Sequence, residues 1–253
     1  MFESLKGKLK SRKAYAAHVM GNNELDKANP EKAREKHEEA LKLYAEAYDA
    51  GVRDPQILMA YAVLLMRFDD CEKARNLLLE CEKAPDLDAK SRKQLRENYS
   101  VCMWKLGNLD RATELMESAA SSGKTSRIYT TLGCYYIEKG RATGDFSKAV
   151  EFNAEALEYD DEDAGILDNL GQQHYFMGEP DKAYEYFSKA YAAKPNQAAT
   201  LYYIAKINLE RKNYEKAEAF IDKCIAEGNF SALATVTKAQ AQELKNEIIR
   251  AKG

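Results

Sequence analysis

The chain has 253 residues, a hydrophobic content of 45%, and 38 basic against 41 acidic side chains, for a net charge of −3. Charges of both signs are interspersed, which argues against a nucleic-acid surface, and no apolar run approaches the length of a membrane span. The first residues lack the apolar segment of a secretory signal, and five cysteines at irregular spacing fit a reducing compartment, so the sequence reads as a cytoplasmic protein.

In chain order, residues 1–13 set Phe2, Leu5 and Leu9 on one helical stripe among five basic residues. We read the stripe as the start of a first helix continuing through Tyr15, Met20 and Gly21, with a membrane-surface or partner-docking helix as the alternative. Asn29-Pro30-Glu31 offers a cap and a first-position proline for a long second helix to about Asp49. A second unit, 54–86, has Leu58, Tyr61, Ala62, Leu65 and Leu78 in core positions and ends at Ala84-Pro85-Asp86. A third, 88–122, has Tyr99, Met103, Leu106, Gly107 and Met116 in such positions. In the fourth, 124–160, Glu138 to Asp145 carries four extra residues, which predict an extended turn around Gly140 and Gly144. The acidic run Glu158 to Asp163 lacks the alternating ligands and central glycine of a calcium loop and reads as a solvated turn.

The fifth unit, 163–195, shows the pattern most clearly. Leu167, Leu170, Gly171 and His174 share one helical stripe, and Ala183, Phe187 and Ala190 share a second after a turn at Gly178-Glu179-Pro180-Asp181. The small residues let two helix backbones approach closely, with Phe187 filling the gap beside them. A sixth unit, 196–228, follows, with Leu201, Ile204, Ala205, Phe220 and Ile221 inward. After Gly228-Asn229-Phe230, Ser231 is expected to cap a last helix over 231–251. Leu233, Val236, Leu244 and Ile248 would face inward there, and Lys238, Gln242, Glu243 and Asn246 outward.

A basic residue followed by alanine recurs as Lys32-Ala33, Lys73-Ala74, Arg111-Ala112, Lys148-Ala149, Lys182-Ala183 and Lys216-Ala217. Seven residues after each alanine stands another small residue: Ala40, Cys81, Ala119, Ala156, Ala190 and Cys224. Two such columns in register define an internal repeat. With Leu170-Gly171, Gly178, Ala183, Phe187, Ala190 and Pro195, the fifth unit resembles a tetratricopeptide repeat, and the other units (the first over 14–50) follow it. The resemblance implies an all-α, right-handed α-solenoid of six helix–turn–helix repeats with a C-terminal capping helix, one repeat domain over 1–253.

No catalytic constellation stands out. Ser122-Gly123-Lys124-Thr125 lacks the leading glycine and strand of a phosphate loop. His37 and His174 fall in packed columns, which leaves His18 for a surface role. Cys81 and Cys224 read as buried fillers, and Cys71, Cys102 and Cys134 show no metal-ligand spacing. We therefore expect no enzyme activity, cofactor or metal.

The resemblance implies a concave face lined by the first helices. Its candidate peptide-binding residues are His18, Asn22, Met59, Val63, Arg67, Glu97, Val101, Trp104, Thr130, Asp168, Gln172, Tyr202 and Lys206. Cys134, Ile137 and Tyr175 fall in the same columns. The carboxylate clamp of heat-shock co-chaperones in this family is not matched, because only Asn22 fits it. The expected function is a scaffold that binds a protein or peptide partner in the groove. The alternatives are a small-peptide sensor and a membrane-recruited adaptor using the basic N-terminal helix.

Overall fold

The computed structural model describes residues 5–85, 87–230 and 234–253, so Phe2, Asp86, Ser231 and Leu233 lie outside it. Among the described residues there are thirteen α-helices, and pairing of extended backbone is limited to an isolated bridge between Gln197 and Asn229. The chain divides into two compact units, Met1–Ser122 and Gly123–Gly253. The first contains α1 (Leu5–Asp26), α2 (Pro30–Asp49), α3 (Pro55–Arg67), α4 (Cys71–Glu82), α5 (Ala89–Lys105) and α6 (Leu109–Ala120). The second contains α7 (Ser126–Thr143), α8 (Ser147–Tyr159), α9 (Ala164–Phe176), α10 (Pro180–Ala193), α11 (Ala198–Glu210), α12 (Tyr214–Glu227) and α13 (Lys238–Lys252). Consecutive helices pack as hairpins, three in each unit, and α13 packs on α12 and α11.

Each hairpin closes on the same contact. The marker alanines and the small residues seven positions later are all 1% exposed or less. Between them, four positions after each marker, stand His37, Leu78, Met116, Asn153, Phe187 and Ile221, all buried. Facing these from the first helices are Gly21, Ala62, Ser100, Gly133, Gly171 and Ala205, also buried. A β-carbon added at Gly171 would come within 2.6 Å of the Phe187 ring, and one at Gly21 within 2.3 Å of the His37 ring. The small side chain thus sets how near the first helix lies, and the large one fills what remains. Ser100 keeps the pattern by donating its hydroxyl to the carbonyl of Ala112 at 2.7 Å.

The hairpin turns repeat with the same period. Ala28, Asp69, Gly107, Gly144, Gly178 and Lys212 each precede a marker alanine by five residues, and all six have positive φ. This explains two departures from expectation. Gly107 is a turn residue, exposed and at φ 82, and Tyr99, Met103 and Leu106 beside it are only half-buried. The four extra residues of the fourth unit add a turn of helix and do not lengthen the loop: α7 runs through Gly140 to Thr143, and Gly144 ends it in the left-handed conformation.

Six helix starts are capped by a side chain as helix chemistry expects. Asp54, Asp70, Asp88, Asn108, Thr125 and Asp163 accept backbone N–H groups at the starts of α3, α4, α5, α6, α7 and α9. Asn29 makes no such bond; its amide donates to Glu24 at 3.2 Å instead. The last helix begins at Lys238, seven residues later than expected, because Thr237 and Gln240 form a reciprocal capping box. Val236 therefore precedes the helix, yet it is buried in the cluster of Phe187, Tyr203 and Ile207; Leu244 and Ile248 are also buried, and Lys238, Gln242, Glu243 and Asn246 are exposed. Ala241, Leu244 and Ile248 cover Leu201, Ala205, Ile221 and Cys224 of the last hairpin.

Gly171→Ala should destabilise the second unit by about 2 kcal/mol, since the Phe187 ring must shift within a filled core. Lys212→Gly should stabilise it by about 0.5–1 kcal/mol by removing the left-handed strain of a residue with a β-carbon. Urea denaturation followed by circular dichroism measures both.

Candidate functional site

The first helices of each unit carry the residues expected to line a binding face, and their depth differs. In the first unit His18, Met59, Glu97 and Val101 are 8% exposed or less, while Asn22, Val63, Arg67 and Trp104 are half-buried. The surface role expected for His18 is overturned: its ring is enclosed, 3.4 Å from the Tyr44 hydroxyl and edge-on to His37.

Arg67 organises this part of α1, α2 and α3. Its guanidinium donates to Asn22 Oδ1 at 3.1 Å and to His37 Nδ1 at 3.3 Å. With the proton on Nε2, His37 donates to the same Asn22 oxygen at 3.2 Å. Burial, and then the Arg67 charge, lower the pKa of His18 to about 4 and that of His37 to about 3. Both imidazoles are therefore neutral acceptors or donors around one cation, and Arg67 Nε has no hydrogen-bond partner among the described residues.

In the second unit α7, α9 and α11 border a cleft of about 550 Å³. Thr130 and Cys134 reach it from α7, Asp168 and Gln172 from α9, and Ala198 and Ala199 from α11. Asp168 is 5% exposed. Thr200 Oγ1 donates to Asp168 Oδ1 at 2.5 Å, and Gln172 Nε2 donates to Oδ2 at 2.6 Å. Both donors are neutral, so burial dominates and pushes the Asp168 carboxyl up to about 6. α9 is held against α7 by Asn169, whose amide donates to the Thr130 carbonyl at 2.7 Å. Tyr202 and Lys206 lie apart from the residues bordering this cleft: the Lys206 ammonium sits 5.7 Å from the Tyr175 ring and 5.9 Å from the Tyr202 ring.

Sequence columns gave the direction of these side chains but missed Thr200, Asn169 and Gln197, which lie outside the three columns: Thr200 and Gln197 face α9 from α11 and its start, and Asn169 reaches from α9 to α7. The Asp168 partner Thr200 stands in the next repeat, 32 residues away and close to the repeat length, and that spacing was the available signal.

The other motifs singled out in the sequence have ordinary structural surroundings among the described residues. No group of three or more His, Cys, Asp or Glu could hold a metal. The five cysteines are free and buried, and burial pushes Cys81, Cys102 and Cys224 up to about 12. Lys124 pairs with Glu155 at 2.5 Å beside the helix-capping Thr125, and His174 pairs with Glu179 at 2.6 Å. Asp160 accepts the backbone N–H groups of Glu162 and Asp163, an ordinary acidic turn. Among the described residues no helix is long and apolar enough to cross a membrane. Leu5 and Leu9 are exposed at 86% and 56%.

Residues 176–242 match the family model described as tetratricopeptide repeat. Over 102 residues the chain is 26% identical to the BBSome complex member BBS4 of Bos taurus, which is 40% of this chain and 19% of that relative's length. A tetratricopeptide repeat protein of Parabacteroides merdae superposes with a TM-score of 0.67 at 14% identity, over 94% of this chain and 99% of that one. A thermophilic TPR protein of Thermus thermophilus gives 0.63 at 17% identity, over 79% and 99%. The APC/C hetero-tetramer Cut9–Hcn1 gives 0.61 at 14% identity, over 95% and 47%. At these identities the structural likeness is one of fold.

The two units should answer acid in opposite directions. His18 and His37 have folded pKa values below the unfolded 6.5, so the first unit loses stability as pH falls from 6.5 toward 4. Asp168 has a folded pKa above its unfolded 3.8, so its protonated form is favoured in the fold. The second unit accordingly gains stability, up to about 3 kcal/mol, as pH falls from 6 toward 4. Urea melts followed by the fluorescence of Trp104, the single tryptophan, should show the first trend, and helix-resolved hydrogen exchange the second. Asp168→Asn should abolish the second trend and raise stability at pH 7.

Proposed function

We propose that this chain, a tetratricopeptide repeat protein, is a non-enzymatic scaffold that holds a segment of a partner protein along the first-helix faces of its units. The observation that carries the reading is the division of labour within each hairpin. Second helices spend their small and large residues on closing the hairpin, while first helices present half-buried side chains of mixed character. Thr130, Tyr202 and Lys206 in the second unit, and Asn22, Val63, Arg67 and Trp104 in the first, offer aliphatic, aromatic and charged contacts from the first helices of each unit. Such a mixture suits an extended or helical peptide, with apolar area for affinity and a few polar groups for register. The similar proteins named above include a member of the BBSome complex and a component of the APC/C hetero-tetramer, both parts of protein assemblies by their names.

The reading is tested by selecting short random peptides on the full chain and measuring them against variants. Thr130→Arg and Lys206→Glu, at half-buried positions, should weaken the selected peptides about tenfold or more while leaving the melting curve unchanged. Ser188→Arg, on the exposed side of α10, should leave binding intact. Equal losses in all three variants, or none, would move the site away from the first helices.

A further inference from the structure

The cleft of the second unit has a feature that the scaffold reading does not require. Asp168 is a buried carboxylate whose hydrogen-bond partners, Thr200, Gln172 and Gln197, are all neutral. Such a group is costly to keep ionised unless a cation joins it. The nearby charge adds to the imbalance. Glu162 and Asp163 stand at the border of the same cleft, against Lys194 as its single basic residue. Asp163 is already engaged, capping α9 and accepting the Ser126 hydroxyl. Three further oxygens in the wall, Thr131 Oγ1, Asn229 Oδ1 and Thr235 Oγ1, have no hydrogen-bond partner among the described residues. Thr131 is 2% exposed.

Every one of these groups can accept a hydrogen bond, and the net charge of the lining is negative. A volume of about 550 Å³ is ample for one long side chain. We propose that the cleft between α7, α9 and α11 takes the cationic side chain of a lysine or arginine from a bound partner segment, with Asp168 as its counter-charge. The inference rests on the scaffold reading for the segment that delivers the side chain, but the cation site itself stands on the cleft alone. Thr200, Gln172 and Gln197 orient the two carboxylate oxygens, and of the carboxylate's roughly four acceptor sites one remains for an incoming N–H group. The aliphatic stem of the cation would lie against Ala198, Ala199 and the Thr130 methyl group.

Two measurements on the full chain separate this inference from the scaffold reading. In the first, Nα-acetyl-lysine methylamide, Nα-acetyl-arginine methylamide and the neutral Nα-acetyl-norleucine methylamide are titrated while amide resonances are followed by NMR. The two cations should shift resonances of Thr131, Asp168 and Gln172, and Asp168→Asn should weaken them about tenfold. Equal shifts from the norleucine compound, no shifts from either cation, or cation binding unchanged in Asp168→Asn would overturn the proposal. In the second, peptides selected on the wild-type chain should carry a lysine or arginine at one fixed position, and that preference should vanish in selection on Asp168→Asn. Selected peptides without such a position would refute the cation site and leave the scaffold reading standing. A failure to select any peptide would count against the scaffold reading, while the titration still decides the cleft.

Discussion

Each hairpin of this protein depends on one contact: a small residue on the first helix laid against a large buried one on the second. Gly171 against Phe187 is the clearest instance, since no β-carbon fits between them. Close approach of the backbones brings the marker alanines into full burial and leaves little room for variation in helix spacing. The turns follow from the same geometry. A left-handed residue five positions before each marker reverses the chain in the least length, and the fold holds that conformation even where the sequence supplies Ala28, Asp69 or Lys212 in place of glycine.

This constraint explains what could be read from the sequence. The two columns of small residues flank the large residue of that contact on each second helix, so the hairpin repeat and the buried roles of Cys81 and Cys224 were legible. The course of the fourth unit was not. Four added residues can lengthen a loop or add a helical turn, and Gly140 and Gly144 fit either. The decision lies in tertiary packing: Gly140 stays helical because its bare Cα faces the Phe146 ring, within 2.5 Å of where a β-carbon would sit. The last helix posed the converse problem. Ser231 and Thr237 are both competent caps, and only Thr237 has a glutamine three residues on to complete the reciprocal bonds.

Side-chain depth was the least legible property. Repeat columns say which way a residue points along a helix, but burial depends on the neighbouring repeat. His18 was expected at a surface and is enclosed by Tyr44 and His37, and Asp168, a candidate peptide-binding residue, is 5% exposed and hydrogen-bonded to Thr200 and Gln172. Both cases place polar chemistry where an apolar residue would be more stable. In the first unit the imidazoles stay neutral around Arg67; in the second the carboxylate has neutral donors alone. Polar groups kept at such a cost are what the proposed binding reading draws on.

The most direct measurement is site-specific photo-crosslinking with a selected peptide, placing a benzophenone amino acid at Thr130 in one variant and at Ser188 in another. Crosslinks from Thr130 and none from Ser188 are the predicted result. Crosslinks from Ser188 with Thr130 silent would contradict the assignment of binding to the first-helix face.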